Sequence, residues 1–322
     1  MEIGFTLLPF VLLSIVLVLA NLGRHSPAFT WLTYGALIAL NLLMLNAGLA
    51  SLAPQTELVG IPPEAEPALD ALLRGIGFTG LVAFLPLLPP VRRGLARLIP
   101  IDPASPVHTT ALVYAVYVVG LGIGQQRLLT DPAVVQSLEL RLTSALAWSQ
   151  ALGMVLLAVS GVGLFVHRSP REVAERLGLT WPTVGHAVVA GLAVAFLFSA
   201  QVMVALIWRS LDPAGFDRLS NASNLLFGEF SGPLAAFTLG FTAAVGEELV
   251  FRGALQPRFG LLVPAALFTV LHSQYGFSPA TLLILMIALV LGVLRQRTNL
   301  TVCILTHFGY NFVTVMLASL VQ

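Results

Sequence analysis

The chain has no lysine, one cysteine and few charges of either sign: 16 basic residues, all arginine, stand against 15 acidic ones over 322 positions, for a formal net charge of +1. Without a basic stripe or cluster there is nothing to grip a phosphate backbone, so nucleic acid is not an expected partner. Cys303 alone rules out an intramolecular disulfide and any multi-cysteine metal or cluster site. The use of arginine throughout reads as a bias of the source, such as a GC-rich bacterium, rather than as function. What the chain has in abundance is apolar surface, with 57% hydrophobic residues. Runs of roughly twenty such residues recur along its length, as an ~30 Å hydrocarbon core demands. The expected fold is all-α, a polytopic transmembrane helical bundle set in the lipid bilayer of a bacterial cytoplasmic membrane.

About ten spans are expected, at Ile3–Leu22, Ala28–Leu52, Gly75–Pro90, Val107–Gly124, Ser144–Val166, Gly185–Trp208, Gly232–Arg258, Leu261–Ser273, Ser278–Leu294 and Leu300–Val321. The first lacks a basic leader and a small-residue cleavage site, so it reads as a retained helix and not as a signal peptide. Proline punctuates the links, among them Pro54, Pro100, Pro170, Pro182 and Pro213. The stretch from Thr130 to Thr143 reads as a short helix on the membrane surface. Loops after odd-numbered spans carry Arg24, Arg92, Arg93, Arg97, Arg168, Arg171, Arg176, Arg258, Arg295 and Arg297, whereas the acidic stretch from Glu57 to Asp70 lies on the other side. The positive-inside rule therefore puts the odd loops in the cytoplasm and both termini outside. Residues 1–166 are expected to form an N-terminal transmembrane module of no assigned role, and 184–322 a second, functional domain.

The last quarter carries ionisable residues inside apolar segments: Glu247, Glu248 and Arg252, then His272, then His307 with Asn311. Such residues are costly in a bilayer and mark function by default. Measured from a turn near Phe259–Gly260, Glu247 and His272 each lie ~18 Å along their helices, and His307 and Asn311 lie ~12 and ~18 Å from the same surface. Glu248 and Arg252 are four apart and suited to pairing, while Glu247 is rotated ~100° from its neighbour and stays free. A buried carboxylate beside imidazoles suits general-base work. His307 and Asn311, also four apart, suit donation to an oxyanion. The constellation fits amide hydrolysis by water.

Glu247-Glu248-Leu249-Val250-Phe251-Arg252, Phe268 to His272 and His307 to Asn311 resemble the motifs EExxxR, FxxxH and HxxxN of the CAAX protease and bacteriocin-processing family of intramembrane endopeptidases, which includes the type II CAAX prenyl proteases. The resemblance runs from about Val184 to Leu320. It implies that Glu247 and His272 activate water, that His307 and Asn311 stabilise the oxyanion, and that Glu248 with Arg252 supports the site. The implied substrate is a membrane-associated peptide or protein, which in eukaryotic members is prenylated. No cofactor is expected, because the chain lacks an HExxH pair; the alternative is a zinc ion held by Glu247, His272 and His307.

Other readings compete. Buried Glu, Arg and His also serve as helix glue or as an ion path, but a proton-coupled transporter should show internal repeats, and none is evident. A non-catalytic bacteriocin self-immunity or scaffold protein would use the same helices. Cys303 reads as a packing residue in preference to a nucleophile or ligand. His25, His108, His167 and His186 fall in loops or near span ends, and Asn41, Asn46, Gln150 and Gln201 read as interhelical hydrogen-bond partners.

Overall fold

The computed structural model describes residues 2–51 and 61–321. Pro54 and Glu57 lie outside the described residues. Among those described, the chain is helical with no strand beyond one isolated bridge, Leu164 to Arg168. In order come α1 (Glu2–Leu22), α2 (Pro27–Ala50), α3 (Glu66–Val82), α4 (Pro89–Leu95), α5 (Pro106–Thr130), α6 (Pro132–Ser137), α7 (Ser144–Gly161), α8 (Pro170–Leu177), α9 (Val184–Leu211), α10 (Pro213–Phe227), α11 (Pro233–Glu248), α12 (Gln256–Phe259), α13 (Leu262–Leu271), α14 (Pro279–Arg297) and α15 (Leu300–Val321).

Eight of these stretches are long and apolar enough to cross a membrane: α2, α3 with its 3-10 extension to Leu87, α5, α7, α9, the run from α11 through α12, α14 and α15. The apolar part of α1 and the short α13 bring the total to ten. The chain is an integral membrane protein. The third span begins at Glu66, nine residues earlier than its hydropathy suggests, and Pro89–Leu95 is a separate helix. The segment after Thr130 contains the six-residue α6, whose Val134 and Val135 are buried.

Helix starts follow local chemistry. Ser105-Pro106, Asp131-Pro132, Ser169-Pro170 and Asp212-Pro213 each set a side-chain acceptor at the N-cap and a proline at the first helical position, where its missing N–H is not needed. α9 starts without proline, on a Thr183 cap, and His186 completes a capping box: its Nδ1 accepts from Thr183 N while Asn299 meets its Nε2.

Packing between spans uses small residues, as expected where lipid offers apolar groups no incentive to leave it. A Cβ on Gly48 would stand 2.3 Å from Gly77 Cα, so α2 and α3 touch backbone to backbone. Two of the four expected interhelical bonds form: Tyr117 Oη donates to Asn41 Oδ1 at 2.6 Å and Thr314 Oγ1 to Gln201 Oε1 at 3.2 Å. Asn46 and Gln150 instead lie on exposed helix surface and show no such bond. The largest buried cluster gathers α7, α8, α9, α13, α14 and α15 around the segment after α11. Both α5 and α7, from the N-terminal half, pack onto this assembly, α5 against α13 and α7 against α11.

Candidate active site

Two departures from regular helix shape the site. The first follows Glu248 directly: Leu249–Leu255 winds as a π-helix, a rare, wide turn that recurs at functional sites. The span expected at Gly232–Arg258 forms as one continuous helical run, Pro233–Phe259, that widens over these seven residues. The wide turn is braced from outside. Arg295 Nε donates to Arg252 O and Arg176 Nη1 to Gly253 O, each at 3.2 Å, while Arg252 Nη2 and Gln256 Nε2 donate to Ala288 O and Gly292 O of α14. Burial, and then the nearby Arg258, Arg168 and Arg295, push Arg176 down to about 10, so it stays cationic at neutral pH.

The second departure is the end of α13. His272 is its C-cap residue and not a mid-helix one, because the polar run Ser273–Tyr275 forms a 3-10 turn and Gly276, at φ +59, reverses the chain. The last turn tightens so that His272 N bonds Thr269 O. Phe268 O is left without a helical donor, and His272 Nδ1 meets it at 2.8 Å. Gln125 of α5 pins the turn by donating to Ser273 Oγ at 2.9 Å.

Between these breaks runs α15, which carries His307 and, one turn on, Asn311. His307 is buried, and its Nδ1 lies 2.9 Å from Glu248 Oε1. Glu248 also faces Arg252 Nη1 at 3.3 Å, an ionic contact without an aligned hydrogen bond. That pair is sealed, at 0% and 1% exposure, whereas the Glu247 and His272 side chains are 14% and 17% exposed. Sealed groups cannot meet substrate; the partly open ones can. Glu247 Oε2 stands 3.9 Å from His272 Nε2 and 4.0 Å from His307 Nε2, and no group among the described residues hydrogen-bonds to it. The structure thus brings Glu247, Glu248, Arg252, His272 and His307 together. Asn311 is half-buried and has no hydrogen-bond partner among the described residues.

Phe268 holds the group in place. Its ring lies 4.5 Å from the His272 ring and 5.9 Å from that of His307, and the Arg252 guanidinium sits 4.3 Å above it. Desolvated cation–π contacts of this kind are worth about 2 kcal/mol. Tyr275 lies parallel to His272 at 6.3 Å on the outer side. Spacing alone marks Phe268 only as a neighbour of His272, and gives no signal for Arg176, Arg295 or Tyr275. Cys303 is buried, its thiol donating to Leu291 O and Asn299 O.

Glu247, His272 and His307 offer the donor types zinc accepts, and the acceptor on each Nδ1 is the outer-shell pattern of metal-bound histidines. Their spacing does not fit. Tetrahedral zinc needs donors about 3.3 Å apart, and Glu247 Oε2 lies 3.9 and 4.0 Å from the two histidine nitrogens. Among the described residues no group of three or more His, Cys, Asp or Glu is placed to hold a metal.

Neither a curated protein nor a solved structure matches the chain. A family model does, and the region it matches takes in Glu247, Glu248, Arg252, Phe268, His272, His307 and Asn311. Residues 229–313 are similar to the family described as type II CAAX prenyl endopeptidase Rce1-like.

Proposed function

We propose that the protein is an intramembrane endopeptidase that hydrolyses a peptide bond of a membrane-associated peptide or protein, with water as nucleophile and Glu247 as general base. The family supports a protease; a lipid-modified C-terminus is the substrate feature its description suggests. The observation that carries the mechanism is the convergence of Glu247 Oε2 on the Nε2 atoms of His272 and His307. Both histidines have Nδ1 against an acceptor, Phe268 O or Glu248, so Nδ1 donates and a neutral ring offers a lone pair at Nε2. Three acceptors then face one small space. Water supplies the donors: an oxygen about 2.8 Å from two atoms that far apart sees them at an angle of about 90°, close to its own.

Glu247 takes a proton from this water, aligned by His272, as the oxygen adds to the scissile carbonyl carbon and the carbonyl electron pair moves onto its oxygen. The Asn311 amide donates to that oxyanion. His307, with Nδ1 donating to Glu248, turns its Nε2 lone pair toward the same water and helps to hold it. Collapse breaks the C–N bond, and the proton held by Glu247 passes to the leaving nitrogen, giving a carboxylic acid and an amine.

The test compares membrane peptidomes of cells making the unaltered chain or Glu247→Ala at equal levels. Peptides with a new terminus should appear only with the former. Identical peptidomes would sink the reading.

A further inference from the structure

A cavity lies away from this site, in the N-terminal half. It is a groove of about 830 Å³ between α3 and α5, walled by apolar residues such as Phe78, Val82, Val119 and Ile123. On α5 its lining runs from Leu112 to Thr130, ~27 Å of helix and so nearly the full hydrocarbon thickness. The polar lining is concentrated at one end, in Gln126, Arg127 and Thr130. Arg127 is exposed and has no ion pair or hydrogen bond among the described residues. By the arginine count this is the non-cytoplasmic end.

We infer that this groove binds a bilayer glycerophospholipid, with an acyl chain along α3 and α5 and the headgroup phosphate on Arg127. Length and lining suit an extended chain: the ~27 Å run along α5 is walled mostly by apolar residues up to its Gln126 end. Charge decides its head. An unpaired guanidinium at the mouth of an apolar slot, at the depth where headgroups begin, matches a phosphate and has nothing to offer an uncharged lipid. The same end touches the catalytic half, because a Cβ on Gly276 would meet Gln126 Nε2 and Thr130 Cγ2, each at 3.2 Å. A lipid seated there would steady α5, whose Gln125 holds the turn after His272. This gives the N-terminal helices a role, and it does not depend on whether Glu247 is a base.

The purified full chain would be examined by native mass spectrometry with phosphatidylglycerol and with diacylglycerol of the same chains. One phosphatidylglycerol per chain should survive delipidation, and diacylglycerol should not. Arg127→Gln should lower retention about fivefold, the worth of one arginine at a lipid surface. Ile123→Trp, which fills the slot, should abolish it. Both positions are exposed, so each variant should fold, as its melting temperature would verify. Unchanged retention by either variant, equal retention of diacylglycerol, or a slot that takes a lipidated peptide but no phospholipid would overturn the proposal.

Discussion

Glu247 and Glu248 are adjacent in sequence yet face opposite edges of the same imidazole: Glu248 Oε1 lies 2.9 Å from His307 Nδ1, and Glu247 Oε2 lies 4.0 Å from its Nε2. One step along the helix thus separates a sealed carboxylate from an open one, and the two should fail differently when altered. Glu247→Gln keeps the volume and removes the base. Turnover should fall by about 10²–10⁴-fold, the usual worth of a general base, with an unchanged melting temperature. Normal turnover by the purified variant would remove Glu247 from the chemistry.

Glu248→Gln should act through the fold. It leaves Arg252 as a buried cation without a carboxylate, a loss of about 3–5 kcal/mol, which thermal unfolding would register. Adding Arg252→Met removes the orphaned charge, so the double variant should be more stable than Glu248→Gln alone. Activity should stay low, because His307 has lost the group that holds its proton. A double variant less stable than either single one would mean the pair is not coupled.

The apolar periodicity and the three motifs place the membrane helices and collect the polar residues into one region, because both depend on local sequence. What they miss depends on backbone departures. Leu249–Leu255 has nothing in its residues that distinguishes a π-turn from an ordinary one; the turn is held by Arg176 and Arg295, which come from helices far along the chain. His272 reads as a mid-helix residue because Leu261–Ser273 is apolar almost to its end, yet Gly276 and the polar residues before it stop the helix there. The start of α3 is missed for a different reason: Glu66, Asp70 and Arg74 lower the hydropathy of its first turns, although Asp70 and Arg74 pair at 2.9 Å on the helix surface.

Topology offers a third test. With Cys303 replaced, a cysteine at the exposed Arg258 should react in intact cells only with reagents that cross the membrane, since the odd-numbered loops are assigned to the cytoplasm. Labelling by an impermeant reagent would reverse the orientation and would place the groove's Arg127 end in the cytoplasmic leaflet.

His167 lies in the loop after α7, where burial and the nearby Arg24 and Arg168 lower its pKa. Arg168 Nη1 contacts its Nε2 at 2.7 Å, so the ring is held neutral and protonation breaks the contact. A histidine with a folded pKa below its unfolded value of about 6.5 binds protons more readily when unfolded. Stability should therefore be intact above that pH and decline as pH falls through it. The slope should be well under the ~1.4 kcal/mol per pH unit of a full proton, because the ring is only part-buried. Melting curves from pH 7.5 to 5.5 should show the decline, and His167→Gln should flatten it.

Zinc is the remaining decision, and donor spacing is what bears on it. At 3.9 and 4.0 Å the two histidine nitrogens stand farther from Glu247 Oε2 than the ~3.3 Å between donors of a zinc tetrahedron. Closing the gap takes a shift of Glu247 toward both histidines, or of a histidine away from its Nδ1 contact with Glu248 or Phe268 O. Water needs no such movement, and its two protons answer the acceptors that face it. We therefore expect hydrolysis to survive exhaustive chelation, and elemental analysis of active protein to find no stoichiometric zinc. Activity lost to a chelator and restored by zinc, with one metal per chain bound through Glu247, His272 and His307, would show that the site closes around a cation and would replace the glutamate-and-water mechanism with a metal-activated one.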